Sequence, residues 1–342
     1  MNKHFFEVDV RCFTFNQSKY ITDTMDGFCM QQTSFPFVCL IVDDASTDGE
    51  QIVIKQYLKN NFDLSETSEF YNEETDYGHI IFARNKTNRN CYFAVLLLNE
   101  NHYSNPAKFA GKKFEYLKKW RDDCKYEALC EGDDYWTNPF KLEMQYQALE
   151  ANPQATMVYC NYRTVDMEGK KIIRPLYEKL KRYHKSGNNL VKLFKKNYPL
   201  TCTIMIRMDV YKTPLYNLSP SKIDYALFMC AAFYGDFIYI AEVVSSYRMN
   251  PDSLMNSNKN KVSTEFRKSN IYFSKEYLLG HCKRNGFFYD ILTKYTISQN
   301  YFLSKGENRT VFNELCSIDR FIYCYIPIVL FIKIIKKLRI KI

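Results

Sequence analysis

A chain of 342 residues and 40.7 kDa, 46% hydrophobic and 25% charged, can bury a substantial core as one large domain with an appendage or as two domains, which excludes wholesale disorder. Of the net charge of +9, five positives sit in the last ten residues, KIIKKLRIKI; the remaining excess is small and dispersed, no recognition motif accompanies it, and no nucleic-acid partner is expected. Twelve cysteines without a Cys-x-x-Cys pair read as reduced thiols, and the N-terminal MNKHFFEVDVRCF has no apolar run long enough for a signal peptide, so the folded part of the chain is expected in the cytoplasm.

From the N-terminus, strand-length apolar segments alternate with helical patterns: VDVRCFTFN, SKYITDTMDGFCMQQ, FVCLIVDD, DGEQIVIKQYLKN. That order predicts βαβ units and an α/β fold with a mainly parallel sheet, in which the unbroken apolar run FVCLIV is a central strand covered on both faces. SETSEFYNEETD reads as an acidic loop, and HIIFAR and YFAVLLL as strands. KFEYLKKWRDDC places Phe114, Leu117, Trp120 and Cys124 on one helical face and leads into the strand YEALC. Asn138 and Pro139 read as the N-cap and first turn of a helix ending near 151–153. Further on, TMVYCNYRTVDMEGKKII reads as a hairpin about Glu168 and Gly169, TCTIMIR as a strand, 222–234 as a helix stopped by Gly235, and VVSSYR as a strand. From Pro251 the pattern is mostly helical, after a linker NSNKNKVS.

Two strands end in acidic pairs: Asp43 and Asp44 in LIVDDASTDG, and Asp133 and Asp134 in ALCEGDDYW, where Glu131 adds a third carboxylate. Ligands of open α/β sheets bind at the carboxyl ends of the strands. Buried carboxylates need a positive partner, and Mg²⁺ or Mn²⁺ suits a site that supplies one or two of them while substrate phosphate and water complete the shell. Gly132 gives the turn room, and Tyr135 and Trp136 are expected to wall it. Taken singly, each pair is equally a turn or capping motif, with Asp48 capping the next helix; their co-occurrence in one βαβ chain points to a nucleotide-diphosphate site.

Three motifs carry a resemblance to family 2 of the glycosyltransferases, inverting enzymes with the GT-A fold: TFNQSKYI through MQQTSFPFVCLIVDDASTDG, CEGDDYWTNPFKLEMQ, and IDYALF with SSYR, together spanning residues 8–250. The middle motif looks most like bacterial members that build surface polysaccharides. The resemblance implies a GT-A catalytic domain over 1–255, with a nucleotide-sugar half to about 138 and an acceptor half beyond it, then a helical extension over 256–342. It implies that Asp44 accepts from the base of a UDP-type donor, that Phe15 lies beside that base, that Asp133 contacts the sugar-nucleotide and that Asp134 binds the metal. Asp224 falls at the position of the catalytic base and Arg248 near the diphosphate. Read without the resemblance, Asp224 is an acid favoured by a helix dipole and Arg248 an ordinary pairing arginine. The chain departs from the family pattern at Phe13, usually proline, at Phe15, often tyrosine, and at Asn250, often histidine.

The implied reaction is direct displacement with inversion at the anomeric carbon, by an acceptor hydroxyl of a glycan or lipid-linked glycan. A polyprenyl-phosphate sugar synthase and a catalytically silent carbohydrate-binding protein of the same fold remain as rivals. A nucleotidyltransferase would need a glycine-rich phosphate loop that the N-terminal region lacks. At the C-terminus, FIYCYIPIVLFI is too short to span a bilayer and KIIKKLRIKI carries five cations, so 321–342 is expected to lie on an anionic membrane surface as a peripheral anchor. The plainer reading is a core helix followed by a solvated tail.

Overall fold

The computed structural model describes residues 6–65, 69–251, 259–282, 285–302 and 307–337. The first half alternates as the sequence predicts: β1 (Val8–Thr14), α1 (Ile21–Cys29), β2 (Phe37–Asp43), α2 (Glu50–Asn61), then β3 (Phe62–Asp63), β4 (Tyr71–Glu74), β5 (Gly78–Asn85) and β6 (Cys91–Leu98). Two helices, α3 (Pro106–Phe109) and α4 (Lys112–Arg121), lead to β7 (Tyr126–Leu129), β8 (Tyr135–Trp136) and α5 (Lys141–Glu150). A hairpin of β9 (Ala155–Val165) and β10 (Lys171–Ile172) follows, then α6 (Pro175–Leu180), α7 (Leu190–Lys195), β11 (Ile204–Arg207), α8 (Pro214–Asn217), α9 (Asp224–Tyr234) and β12 (Asp236–Arg248). Helices α10 (Lys259–Leu278), α11 (Phe287–Phe302), α12 (Glu307–Ile318) and α13 (Ile326–Lys337) complete the described chain.

The strands form one sheet in the order β3-β5-β6-β2-β1-β7-β11-β9-β12-β8, with β4 on β5 and β10 on β9. Its centre, β6-β2-β1-β7, is parallel, and antiparallel strands extend it on both sides. Every residue of β2 and of β6 is buried, which is why their sequences run apolar without alternation. Thr14 pairs with Asp43, Asp43 with Leu97 and Arg11 with Leu129, so the carboxyl ends of the four parallel strands share one edge. The chain builds outward from β1 to β2 and β6 and then returns to the other side of β1 as β7. The switch point therefore falls between β1 and β7, where such sheets bind their ligands.

Several boundaries differ from the sequence reading. Within the stretch expected as an acidic loop, Tyr71–Glu74 forms β4, an edge strand against β5, because an edge tolerates outward charge. Asn138 does not start α5: its Oδ1 accepts from Phe140 N at 2.8 Å in a turn, and the helix begins at Lys141. Thr201–Thr203 is a 3-10 turn before β11, and α9 begins at Asp224, two residues late.

Two compact units divide the chain. One holds Met1–Arg182, Pro199–Asp209 and Ile238–Pro251 and carries the sheet apart from the first two residues of β12. The other joins Tyr183–Tyr198 and Val210–Phe237, both inside the expected catalytic segment 1–255, to the C-terminal helices. Within this second unit a buried polar chain ties four helices: Tyr301 Oη donates to Asn270 Oδ1 at 2.6 Å, Asn270 Nδ2 to Tyr225 Oη at 2.8 Å, and Tyr225 Oη to the Leu193 carbonyl at 3.3 Å. The expected linker 256–263 and the basic tail 333–342 lie partly outside the described residues.

Candidate active site

In the sheet unit, the loops after β1 and β2 are stitched together around one carboxylate. Glu50 is fully buried and accepts from the Thr14 hydroxyl, from Gln17 N at 2.8 Å and from Ser46 Oγ at 2.9 Å. Asn16 N donates to Ser46 Oγ at 2.9 Å, Thr47 N to Asn16 Oδ1 at 2.8 Å, and Ser18 N to Asp48 Oδ2 at 2.9 Å. Asp48 also accepts from Glu50 N at 3.1 Å, but the N-cap of α2 is Gly49 and not the expected Asp48, which stands one residue before it. Asn16 and Ala45, two residues beyond β1 and β2 respectively, adopt left-handed backbone with φ of 55° and 63°. Ala has no local hydrogen bond to offset such a conformation, so the surrounding network must hold it.

The acidic turn after β7 is held by the far end of β12. Arg248 N donates to Asp134 Oδ1 at 2.8 Å, and its guanidinium donates to the Asp133 carbonyl and to Asp23 Oδ2 on α1, each at 2.7 Å. The same guanidinium lies between the rings of Tyr20 and Tyr135, 4.6 and 5.0 Å from their centroids, and is only 3% exposed as a residue. Asn250 Nδ2 reaches Asp133 Oδ2 at 3.3 Å. Arg248 is not an ordinary surface pair here: its two terminal guanidinium nitrogens hold the turn and α1, while its buried Nε has no hydrogen-bond partner. Trp136 does not wall the site: it packs edge-on against Phe28 at 4.8 Å in the core, and its Nε1 donates to the Cys202 carbonyl at 3.0 Å. Gly132 is needed for close approach more than for turning, because a Cβ there would collide with Thr14 Oγ1 and Gln17 Oε1 at the end of β1.

Asp44 is 4% exposed, and its oxygens are engaged. Oδ1 accepts from His102 N at 2.9 Å, while Oδ2 accepts from Tyr103 N at 3.1 Å and pairs with Lys113 Nζ at 2.9 Å, so the carboxylate fixes the loop after β6. Phe15, 44% exposed, stands just past β1 as a stacking position requires. Asp224 belongs to the helical unit as the first residue of α9, half-buried, ahead of nine residues that are all buried. The sheet unit thus brings together Phe15, Asp44, Asp133, Asp134 and Arg248. Glu50, Asn16, Asp23 and Lys113 were not singled out from sequence, although Glu50 follows DDASTDG directly.

Burial raises the pKa of Asp133, and it raises that of Asp134 well above the carboxylate range, with the neighbouring charge of Asp133 adding to the effect. Among the described residues no group of three His, Cys, Asp or Glu side chains is placed to cage a metal. The donor set fits instead a hard cation bound by one or two carboxylates and otherwise by phosphate and water, which is how Mg²⁺ and Mn²⁺ bind. Asp133 is the more open of the pair and Asp134 the more buried.

No family model matches the chain. It is 26% identical over 252 residues to the uncharacterized proteins Rv1520 of Mycobacterium tuberculosis (strain ATCC 25618 / H37Rv) and Mb1547 of Mycobacterium bovis, a match covering 71% of this chain. The match covers 59% of the length of those relatives. In three dimensions it is similar to S. aureus TarS 1-349 in complex with UDP-GlcNAc, with a TM-score of 0.56 and 15% identity over 94% of this chain and 84% of that one. The same protein in complex with UDP gives a TM-score of 0.51 and 16% identity, covering 87% and 72%. At such identity the likeness shows the fold: a large central sheet flanked by helices, with a helical C-terminus.

The stitched loops make one prediction about pH. Burial pushes the Glu50 carboxyl up to about 7, against 4.5 when exposed, so the folded state binds a proton that the unfolded state has released between those values. Stability should therefore fall as pH rises through that window, by about 3 kcal/mol in all. Chemical denaturation of Glu50→Gln at a series of pH values should show that part of the slope removed; a slope identical to that of the parent protein would contradict it.

Proposed function

We propose that the chain is an inverting glycosyltransferase that moves a sugar from a nucleotide-diphosphate donor, a UDP-sugar, to a hydroxyl of a glycan or lipid-linked glycan in bacterial surface-polysaccharide synthesis. The observation that carries this reading is the turn from Glu131 to Asp134 at the carboxyl end of β7, next to the stitched loops of β1 and β2 at the sheet's switch point. The fold adds support, being similar to that of a protein whose structure holds UDP-GlcNAc.

Each role follows from the residue's chemistry. Phe15 offers a face for the base, and Asp44 with Lys113 offers an acceptor and a donor beside it. Asp134 would hold a divalent cation together with the donor's diphosphate and Asp133 would contact the sugar-nucleotide; such a cation would supply charge stabilisation for the leaving group. Arg248 keeps the turn in place. Asp224 takes the proton from the acceptor hydroxyl, which displaces the nucleotide from the opposite face of the sugar. A polyprenyl-phosphate sugar synthase would use a phosphate acceptor and need no strong base, so the effect of removing Asp224 separates the two.

The C-terminus supports a peripheral membrane location. No helix among the described residues is long and apolar enough to cross a membrane. Ile322 and Val329 are buried, but Phe321, Ile328, Leu330 and Phe331 are exposed by 70, 48, 42 and 62%, which is not how a core helix presents its apolar residues. Five cations follow directly in the sequence, as on helices that lie in an anionic interface.

Three measurements test these assignments. Calorimetry with UDP-GlcNAc and Mn²⁺ should show binding that Asp134→Asn makes metal-independent and Asp44→Ala weakens about tenfold or more; unchanged affinity in both variants would remove the donor site. With an acceptor in hand, Asp224→Asn should keep donor binding and lose about 10²–10⁴-fold in transfer, and near-normal turnover would send the proton elsewhere. Ile328→Glu with Phe331→Glu should abolish co-sedimentation with phosphatidylglycerol vesicles without unfolding the protein, since both side chains are exposed; persistent binding would show that this helix is not the anchor.

A further inference from the structure

The positive charge of the chain is less dispersed than its average suggests. Between Lys170 and Lys196 there are ten lysines and arginines and one glutamate, a net +9 that equals the charge of the whole protein. From Lys179 to Met208 no carboxylate occurs at all. In the sheet unit, Glu178 is already taken by Lys181 at 2.9 Å, and Lys179 and Arg182 are exposed. In the helical unit, α7 presents Lys192 and Lys195, with Lys196 at its C-cap. These are spaced i, i+3, i+4, so they share one face, where like charges disfavour the helix. The helix dipole accounts for a cation in the last turn, but not for eight cations in thirty residues without an acid.

Several carboxylates elsewhere in the helical unit pair with other lysines. Lys294 pairs with Asp290 and Asp319, Lys275 with Glu314 and Lys268 with Glu265, at 2.9–3.3 Å. Lys192 Nζ donates to Asn189 Oδ1 at 2.7 Å, and burial with the charge of Lys185 pushes its pKa down to about 8, as crowded ammonium groups should behave. The backbone of α7 is fixed to α9 through Tyr225 Oη and the Leu193 carbonyl, one residue from Asp224.

The surroundings narrow the kind of partner. Leu190, Val191, Leu193 and Phe194 are all buried, so α7 has no apolar side chain to insert into a bilayer, in contrast to α13. Tyr198 is buried and stacked with Tyr183 at 5.7 Å, which leaves no open ring there for a nucleic-acid base.

We propose that the lysine face of α7 binds the acceptor, and that this acceptor is a polyanion: a glycan bearing phosphodiester or carboxylate groups along its length. The proposal rests on the glycosyltransferase reading and deepens it by naming the charge of the acceptor. A polyanion docked on α7 lies on the helix bonded to α9, whose first residue is the base, and it displaces counterions, so its affinity is salt-dependent.

The test uses the full chain and the variant Lys192→Gln, Lys195→Gln, Lys196→Gln. Long-chain inorganic polyphosphate and polygalacturonate are the probes, dextran is the neutral control, and phosphatidylglycerol vesicles are the competing surface. The parent protein should bind both polyanions but not dextran. The triple variant should lose about tenfold or more in affinity and show a shallower dependence on salt, with vesicle binding and UDP-GlcNAc binding unchanged. Polyanion affinity unaltered in the variant, or dextran bound as well as polygalacturonate, overturns the proposal. So does loss of vesicle binding in step with polymer binding, which would make α7 a membrane contact. Failure of the parent to bind UDP-GlcNAc is a separate outcome: it removes the enzymatic reading and with it the acceptor role, whatever the polymers do.

Discussion

The clasp between Arg248 and the acidic turn is the interaction on which the candidate site depends. It joins three parts of the chain that are distant in sequence: α1 through Asp23, the turn after β7 through Asp133 and Asp134, and the end of β12 through Arg248 itself. Two carboxylates held this close repel each other and resist burial, and a guanidinium packed between two tyrosines is the counterweight that lets the turn persist. Because one bond comes from the Arg248 main-chain N–H, the clasp depends on the course of β12 as well as on the side chain. A rigid turn of this kind is what a site requires if a cation and a diphosphate are to meet carboxylates already in place.

The other side of the site follows the same economy of buried charge. Glu50 is satisfied by a hydroxyl of β1, an amide of the following loop and a hydroxyl of the loop after β2, so a single carboxylate sets the spacing of both loops. Asp44 does the equivalent for the loop after β6. Around these buried acids, Phe15 and Asp133 are the more exposed of the candidate site residues, and Asp44 and Asp134 the more buried. The left-handed Asn16 and Ala45 mark where this network bends the backbone away from its easiest path.

Surface chemistry separates two elements of the helical unit that look alike in composition. Both α7 and α13 are lysine-flanked apolar helices, yet α7 buries its apolar residues and leaves cations outside, while α13 leaves isoleucine, leucine and phenylalanine outside. The first pattern suits a soluble polyanion and the second an interface with an apolar interior, because only the second gains from removing hydrocarbon from water.

Alternation of apolar strands and amphipathic helices was enough to give the parallel centre of the sheet, since β2 and β6 carry the unbroken apolar signature of strands covered on both faces. The acids at strand ends were also legible, because in a parallel sheet the carboxyl ends must gather at one edge. What each acid does there was not legible. Asp44 bonds to residues 102, 103 and 113, and Asp134 to residue 248, partners set by how loops pack and invisible to local pattern. Trp136 shows the same limit: an aromatic beside an acidic turn can face a ligand or the core, and only its packing against Phe28 decided. Periodicity and composition fix which face of a segment is apolar, but a hydrogen bond or ion pair between residues a hundred positions apart is selected by tertiary geometry, and that geometry turned a row of carboxylates into a clasped, oriented site.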